Sequence, residues 1–326
     1  MGTAIRKYAE KIREGKAKLI IPYSGEGEGI IVDPESEDIP LDILSFGIFD
    51  LDKGPFTVET GDREYVLVLE EGYLRLETEG KIFHAERKGG PFSVPYGVSN
   101  ASCIYVGRES RFRLEGKGEV IFYSAPAYDT LPPFFVAPGT KSYVSRGVYV
   151  WRRDVITLVE CGKETTNLTV GETYSSPGLW SGTPIHVHDY DDPEGKESDH
   201  EEVYYHISRY PGKMGSYPVQ LLFSPEEDIW LSFIVPHRTI VVLPGGCHPV
   251  VASPVSDIIY GWGMADKGKP PVLRDLSEFI YLREIEKVWK DLKSLDERGR
   301  EKVMKLLSPQ GREMFEVMLR EYQREE

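Results

Sequence analysis

Hydrophobic residues alternate with polar ones over two long stretches of the chain, residues 29–127 and residues 142–264. Segments such as EYVLVLEEG, RFRLEG, EEVYYHISR and RTIVVLP are rich in Val, Ile, Tyr and Phe, and Gly, Asp and Pro separate them. Alternation with a period of two is typical of strands with one buried face. Many short strands separated by turn residues predict a mainly β protein of the sandwich or small-barrel type.

Apolar residues recur with helical spacing at the two ends of the chain. Residues 3–15 predict one short helix, and the segments DLSEFIYLREIEKVWKDLKSL, DERGREKVMKLL and SPQGREMFEVMLREYQREE predict three more after residue 270. Asp275, Asp296 and Ser308 are placed to cap the amino ends of these three helices. We expect this tail to be an amphipathic packing element that takes no part in the chemistry.

A proline-rich stretch, residues 125–140, lies between the two β-rich stretches and suits a connector between two units. The predicted division is an N-terminal unit at 1–130 with a short leading helix, a second unit at 131–270 and a helical tail at 271–326. The two β units have similar length and layout, which suggests an internal duplication.

Charge and composition exclude several classes of function. The 326-residue chain carries 39 Lys and Arg against 53 Asp and Glu, a formal net charge of −14. That charge repels nucleic acid unless a basic stripe offsets it, and the sequence has none. The sequence also lacks an apolar run of membrane-spanning length, a signal peptide and a paired set of cysteines. These features predict a soluble, cytoplasmic protein with no nucleic-acid or membrane partner. High Glu, Lys and Arg content with few Asn and Gln indicates a thermophile.

Histidine placement is the most informative feature of the sequence. Six of the seven histidines lie between residues 186 and 248, and such a cluster indicates a metal or catalytic site. In the motif HVHD, His186 and His188 are two residues apart. On a strand, both imidazoles therefore point to the same side, where they can bind one ion.

Two later motifs add possible ligands to this pair. EEVYYH offers Glu201 and Glu202, which point to opposite faces of a strand; Glu202 shares its face with Tyr204 and His206. Strand parity cannot choose between the two glutamates without the register. PGGCHPV adds His248 after a tight turn. Three imidazoles and one carboxylate suit a divalent transition metal (Zn, Mn, Fe, Co or Ni) with a position left open for substrate.

The order HxH, Glu on the next strand, and then a Pro-Gly turn with His resembles the two-part metal signature of the cupins. The long acidic insertion after HVHD and the short PGGCH turn resemble more closely the 5-deoxy-glucuronate isomerase family, bicupin enzymes of inositol catabolism related to the 4-deoxy-5-hexosulose-uronate isomerases. The second unit carries the likeness in RRDVITLV, VGETYSSPGLWSGTPIHVHDYD, EEVYYH and PGGCHPV, and the first in ETGDREYVLVLEEGYLRLETEGKIF and IFYSAPA. The likeness spans roughly residues 28–268 and excludes the helical tail.

This resemblance implies a fold and a ligand set. The fold is two tandem cupin barrels (double-stranded β-helix or jelly-roll barrels), a degenerate one and then a metal-binding one, followed by the C-terminal helical extension. The first unit has only His84 and no HxH motif, which fits the degenerate role. The implied ligands of one divalent metal are His186, His188, Glu202 and His248, with Glu201 as the rival to Glu202.

The resemblance also implies a reaction, the aldose–ketose isomerisation of a deoxy-uronic acid, with 5-deoxy-glucuronate as the expected substrate. A divalent metal would chelate the carbonyl and the adjacent hydroxyl and stabilise an enediolate, while a base moves a proton between C1 and C2. Glu172, in VGETY just upstream of the metal strand, is the first candidate for the base. Tyr204 and His206 are alternatives, and Tyr260 has a polar tip that could face the substrate.

The carboxylate of such a substrate needs a cation in an otherwise acidic protein. Arg152 and Arg153 are the candidates, because a guanidinium pairs with a carboxylate through two directional hydrogen bonds. The two arginines are adjacent on an expected strand, so at most one of them faces inward. Lys213, in the PGKMG turn, is a weaker candidate.

Two other functions fit the same motifs. A cupin oxygenase could use the same three histidines and one glutamate to hold iron or nickel, and a bicupin without a working base could bind a sugar acid without turnover. Oxygen uptake would identify the oxygenase, and proton exchange at the carbon next to the carbonyl would separate the isomerase from the binding protein. A homodimer is a further expectation for barrels of this kind.

Overall fold

The protein is described by a computed structural model over residues 4–209, 216–289 and 296–324. Lys213 lies outside these ranges. The helices within them are α1 (Ala4–Arg13), α2 (Tyr281–Trp289), α3 (Glu297–Leu306) and α4 (Pro309–Arg324). The predicted mainly β class with a C-terminal group of helices is confirmed.

All the described strands lie between α1 and α2. Those of the first half are β1 (Ile20–Pro22), β2 (Gly29–Val32), β3 (Ser45–Asp50), β4 (Phe56–Glu59), β5 (Arg63–Thr78), β6 (Lys81–Arg87), β7 (Cys103–Val106), β8 (Arg111–Pro126) and β9 (Phe134–Val136). Those of the second half are β10 (Val144–Arg146), β11 (Arg153–Val159), β12 (Leu168–Ser175), β13 (Trp180–Ser181), β14 (His186–Val187), β15 (Glu201–Ser208), β16 (Val219–Ser224), β17 (Ile229–Ile234), β18 (Thr239–Leu243), β19 (Val250–Val251), β20 (Ile258–Ala265) and β21 (Arg274–Asp275).

The first barrel is one antiparallel sheet in the order β2-β3-β8-β5-β7-β9, to which β4 adds beside β8 and β6 beside β5. Its two longest strands, β5 and β8, have 16 residues each and pair along most of their length. Alternate residues of these strands point into the barrel, where Leu67, Leu74, Phe112 and Phe122 are buried in one apolar cluster. The interior of the first barrel is therefore a packed core.

The second barrel consists of two sheets, one in the order β1-β18-β15-β20-β12-β11-β10 and one in the order β13-β19-β16-β17. The short strands β14 and β21 pair with each other as a separate ribbon. The inner cluster contains Leu222, Val241, Trp262 and Met264 together with tyrosines. Polar side chains share this interior, so the second barrel differs from the first in what it encloses.

The outer faces of the two large sheets pack against each other. Val66 and Tyr123 of the first barrel and Val203 and Tyr205 of the second lie in one buried cluster, and the rings of Phe46 and Tyr205 are 5.7 Å apart. Because side chains alternate along a strand, β15 sends every second residue to this interface and the others into its own barrel. The parity of each strand thus decides which residues can reach a site.

Strands cross the boundary predicted at residue 130 in both directions. β1 pairs with β18 of the second barrel, and β9 pairs with β7 of the first. α1 also buries Ile5, Ala9 and Ile12 in the core of the second barrel. The division into units at 1–130, 131–270 and 271–326 stays a prediction.

The C-terminal helices pack on the segment that precedes β11. Leu282, Ile285 and Phe315 form a buried cluster with Val148 and Trp151. The indole N–H of Trp151 donates to Glu286 on α2 at 3.0 Å, which fixes the helix against this segment. Among the described residues, no helix has the length and apolar character needed to cross a membrane.

Candidate metal centre

Three buried side chains bring their ligand atoms together inside the second barrel. His188 follows β14, Glu202 lies on β15 and His248 lies in the turn before β19. The Nε2 atoms of the two histidines are 3.4 Å apart, and Oε2 of Glu202 is 3.4 Å from Nε2 of His188 and 3.1 Å from Nε2 of His248. All three ligand atoms lie within 4.8 Å of one another. Atoms that bind one transition metal occupy a space of this size.

Backbone carbonyls fix the orientation of both imidazoles. Nδ1 of His188 lies 2.8 Å from the carbonyl oxygen of His200, and Nδ1 of His248 lies 2.6 Å from that of Gly246. A carbonyl oxygen can only accept a hydrogen bond, so each Nδ1 donates its proton. In the neutral rings, the lone pairs therefore lie on Nε2, toward Glu202. Metal-binding histidines are usually oriented by such outer partners.

The electrostatics of the cluster favour a positive charge beside Glu202. Burial alone would raise the pKa of this carboxyl, but the hydrogen bonds with His188 and His248 and the charges of these rings lower it to about 2. Burial would lower the pKa of His188, but Glu202 raises it to about 9. A buried carboxylate is stable only beside a compensating charge. A divalent cation would supply that charge, so the donor set fits a metal.

The turn that carries His248 is tied to the loop that carries His188. The carboxylate of Asp189 accepts a hydrogen bond from the backbone N–H of Gly246 at 2.7 Å. Gly245 has φ of 132°, and a Cβ at this position would lie 2.5 Å from Oδ1 of Asp189. Gly245 therefore allows the turn to approach the aspartate closely.

A cavity of about 480 Å³ adjoins this cluster. Strands β11, β12, β15 and β20 form its inner walls, and residues that follow β20 and lie on β21 and α2 close one side. The lining residues are Arg146, Arg153, Val155, Thr157, Glu160, Thr169, Thr173, Ser181, Gly182, His186, Glu202, Tyr204, Tyr260, Trp262, Met264, Pro271, Leu273, Asp275 and Arg283. Glu202 connects the metal cluster to this space.

His186, the first histidine of HVHD, lines the cavity but is not one of the three clustered groups. Its ring centroid is 6.1 Å from that of His248. Nδ1 donates to the carbonyl of Pro184 at 3.1 Å, and burial together with the neighbouring histidine lowers its pKa to about 3. The ring is therefore neutral, with the Nε2 lone pair available to a ligand in the cavity.

The two neighbouring glutamates of β15 face opposite ways. Glu202 faces the histidines, whereas the carboxylate of Glu201 accepts hydrogen bonds from the backbone N–H groups of Asp42, Ile43 and Leu44, the last two at 3.0 and 2.9 Å. Glu201 thus fixes the segment before β3 to the second barrel. The structure brings Glu202, and not its rival, to the metal cluster.

Glu172, the first candidate for the base, does not reach the cavity. Its carboxylate forms two hydrogen bonds with the guanidinium of Arg87, at 2.7 and 2.8 Å, and both side chains are fully buried between the barrels. The next residue of β12, Thr173, lines the cavity, so alternation along the strand turns Glu172 to the opposite face. The prediction of a catalytic role for Glu172 is corrected to a structural role at the interface.

Of the other candidates for proton transfer, Tyr204 and Tyr260 line the cavity and His206 does not. The rings of Tyr204 and Tyr260 are 4.7 Å apart, and the hydroxyl of Tyr260 hydrogen-bonds with that of Ser181. Burial raises the pKa of both tyrosines, so their hydroxyls keep their protons. The ring of His206 stacks on Tyr260 at 5.1 Å, deeper in the barrel, and burial lowers its pKa to about 3.

The side chains of the adjacent residues Arg152 and Arg153 point in opposite directions, as predicted. Arg153 is buried and lines the cavity, and its guanidinium donates to the carbonyl of Thr183 at 2.5 Å. Arg152 points to the outside, where it forms an ion pair with Asp154 at 3.4 Å and stacks over Tyr96. The structure therefore brings Arg153 to the cavity and leaves Arg152 outside it.

Four charged residues of the cavity lining were not among the sequence candidates for the site: Arg146 on β10, Glu160 after β11, Asp275 on β21 and Arg283 on α2. Asp275, predicted as a helix cap, instead pairs its carboxylate with Arg283 at 2.7 and 2.9 Å. Its backbone pairs with His186 across β14 and β21. The helical spacing of the tail indicated packing only, and no local signal pointed to the pairing of Asp275 with His186.

Comparison with known proteins identifies relatives over most of the chain. Residues 19–278 match the model of the KduI/IolB family. A 5-deoxy-glucuronate isomerase from Geobacillus kaustophilus (strain HTA426) is 31% identical over 242 residues, which are 73% of this chain and 85% of the relative. A protein of the same name from Bacillus subtilis (strain 168) is 26% identical over 229 residues, 69% of this chain and 82% of that one.

Two solved structures share the fold. An IolB-like protein from Salmonella typhimurium LT2 superposes with a TM-score of 0.73 at 23% identity, over 82% of this chain and 100% of that one. An oxalate decarboxylase variant from Bacillus subtilis gives a TM-score of 0.55 at 11% identity, over 90% of this chain and 87% of that one. At these identities the likeness concerns architecture alone. It confirms the predicted pair of cupin barrels, to which this chain adds its C-terminal helices.

Proposed function

The chain belongs to the KduI/IolB family, and from this membership we propose that it is a metal-dependent aldose–ketose isomerase acting on 5-deoxy-glucuronate, a deoxy-uronic acid of inositol catabolism. Its class as an isomerase rests on relatives named 5-deoxy-glucuronate isomerase that align over more than two thirds of both chains. A metabolic role of this kind also suits the cytoplasm.

One observation carries the metal dependence. His188, Glu202 and His248 converge within 4.8 Å beside a cavity large enough for a sugar acid. We propose that these three residues hold one divalent transition metal, with His186 on the cavity wall as the fourth ligand. The carbonyl partners of His188 and His248 support this assignment, because they leave both Nε2 lone pairs free to bind.

The bound metal would polarise the substrate carbonyl and stabilise the negative charge that develops on oxygen as the neighbouring C–H bond breaks. The cavity tyrosines complement this chemistry. Tyr204 and Tyr260 keep their protons because burial raises their pKa, so they donate hydrogen bonds to substrate oxygens. Ser181 holds the hydroxyl of Tyr260 in place. Trp262 and Met264 cover the apolar side of the cavity and exclude water from the reacting carbons.

Arg153 is proposed to bind the carboxylate of the substrate. Its guanidinium is buried and donates hydrogen bonds to the backbone carbonyls of Trp151 and Thr183, so its charge stays available to an anion. A guanidinium in a poorly hydrated wall binds a carboxylate more strongly than one in water.

Elemental analysis and a deuterium-exchange assay test the proposed function together. The purified protein should contain about one transition metal per chain, and His248→Ala should lose it. In D₂O the metal-loaded enzyme should convert 5-deoxy-glucuronate and place deuterium on the carbon next to the carbonyl. His237→Ala is the matched control, because His237 lies outside this cavity and accepts a hydrogen bond from the backbone of Ser208. Full metal content in His248→Ala, or unchanged turnover after metal removal, would contradict the proposal.

A further inference from the structure

Two arginines face each other across neighbouring strands at the cavity wall. Arg146 of β10 pairs in register with Arg153 of β11, and both side chains line the cavity. Like charges directly opposite each other in an antiparallel sheet destabilise it. Burial and, to a smaller extent, the charges of Arg283 and Arg146 lower the pKa of the Arg153 guanidinium. This wall therefore favours an added negative charge.

The charge of the third arginine of the cavity, Arg283, is compensated by carboxylates. Arg283 forms ion pairs with Asp275 at 2.7 Å and with Glu286 at 3.0 Å. In residues 4–209, 216–289 and 296–324, by contrast, Arg146 and Arg153 have no ion pair with a carboxylate. Among the described cations that line the cavity, the two without an ion pair are therefore Arg146 and Arg153.

The backbone between them accommodates the buried guanidinium. Gly147, with φ of 70°, lies against Arg153, and a Cβ at this glycine would come within 3.0 Å of Nη1 of Arg153 and 2.2 Å of the carbonyl oxygen of Trp151. A side chain at residue 147 would therefore displace the guanidinium from its place over the backbone. The glycine therefore leaves room for the Arg153 guanidinium beside the backbone of residue 147.

We propose that Arg146 and Arg153 together form a two-arginine seat for the carboxylate of a sugar-acid substrate, and that Arg146 is a specificity-determining residue. The identity of the substrate rests on the proposed function, while the seat itself rests on the arginine pair. Arg153 supplies the buried hydrogen bonds, and Arg146, which is exposed, supplies charge and a further contact at the cavity entrance. The site then selects anionic sugars over neutral aldoses of the same size.

Calorimetric titration of the metal-loaded protein with D-glucuronate and with its neutral amide, D-glucuronamide, tests the seat without turnover. The wild type should bind the acid more tightly than the amide, and Arg146→Gln should reduce that preference roughly tenfold. Arg146→Lys should restore part of it. Arg111→Gln is the control for the change in net charge, because Arg111 pairs with Glu59 on the surface of the first barrel. With 5-deoxy-glucuronate, Arg146→Gln should raise KM about tenfold and leave kcat within about twofold.

Equal affinity of the wild type for the acid and the amide would overturn the seat, and so would an Arg146→Gln variant that keeps the full preference. A reduced preference in Arg111→Gln would attribute the effect to net charge and would also overturn it. Clear preference for the acid without any isomerisation of 5-deoxy-glucuronate would leave the seat in place and contradict the proposed function.

Discussion

The two barrels are built from similar antiparallel sheets but enclose different interiors. The first barrel fills its centre with side chains such as Leu67, Phe112 and Phe122, all close to fully buried. The second directs Glu202 and Tyr260 into its centre and keeps a cavity of about 480 Å³ there. The same inward positions of a barrel can thus serve either packing or a site, and the packed barrel supplies a rigid support for the open one.

The contrast repeats within a single strand. β15 alternates between the cavity, which receives Glu202 and Tyr204, and the interface between the barrels, which receives Val203 and Tyr205. Glu201 uses the second face to hold the segment that leads into β3. One strand therefore connects the interface with the first barrel to the candidate metal centre, and residues next to each other in sequence have separate roles.

Replacing each of the two adjacent glutamates of β15 by glutamine, one at a time, should give the largest difference in metal content and turnover between two variants. Glu202→Gln should lose the metal and reduce turnover roughly a thousandfold or more, because the amide cannot supply the charged ligand. Glu201→Gln should keep metal and turnover and lose roughly 1–3 kcal/mol of unfolding free energy, because three backbone N–H groups lose a charged acceptor. Metal analysis, activity and urea denaturation of both variants measure this. Metal loss in Glu201→Gln would reverse the assigned parity.

Truncation of one large side chain in each barrel compares packing with cavity lining. Phe122→Ala in the first barrel should cost about 3–5 kcal/mol of unfolding free energy, because the close-packed interior cannot refill the space. Met264→Ala in the second should cost about 1–2 kcal/mol, because one side of this side chain already faces the cavity.

Denaturation curves measure the loss of unfolding free energy, which should be larger for Phe122→Ala. The KM for substrate should show the larger change in Met264→Ala instead. Met264→Ala should change KM, whereas Phe122→Ala should leave it unchanged at temperatures where the variant is folded. Similar stability losses in the two variants would mean that both interiors are packed alike and would remove the distinction between the barrels.

Local patterns predicted the strands and the helices of the tail, because alternation and helical spacing depend only on nearby residues. The set His186, His188, Glu202 and His248 came from the family resemblance, since strand parity alone left Glu201 and Glu202 as alternatives. Glu172 shows where this information ends. It lies close to HVHD in sequence, yet its partner Arg87 is 85 residues away. Only the paired sheets place these two groups together. The same holds for Asp275, which lies at the cavity because its backbone pairs with that of His186, 89 residues earlier in the chain.

The interface between the barrels contains a buried carboxyl group, Glu70, that should make the stability of the protein depend on pH without affecting the candidate metal centre. Glu70 is buried beside Arg87, and burial, with the charges of Glu172 and Glu119, raises its pKa to about 8 against the attraction of Arg87. The folded protein then holds a proton that the unfolded chain releases near pH 4.5, so stability is full below that pH and falls as the pH rises toward 8. We expect a loss on the order of 4 kcal/mol over this range, and Glu70→Gln should remove it, leaving a variant about as stable as the wild type at pH 5 and more stable at pH 8. Urea denaturation at pH 5, 7 and 8 measures the difference.

Since Glu70 lies outside the metal cavity, the metal content of Glu70→Gln should equal that of the wild type. Parallel pH profiles of stability for the two proteins would show that Glu70 ionises normally and that Arg87 compensates both carboxylates.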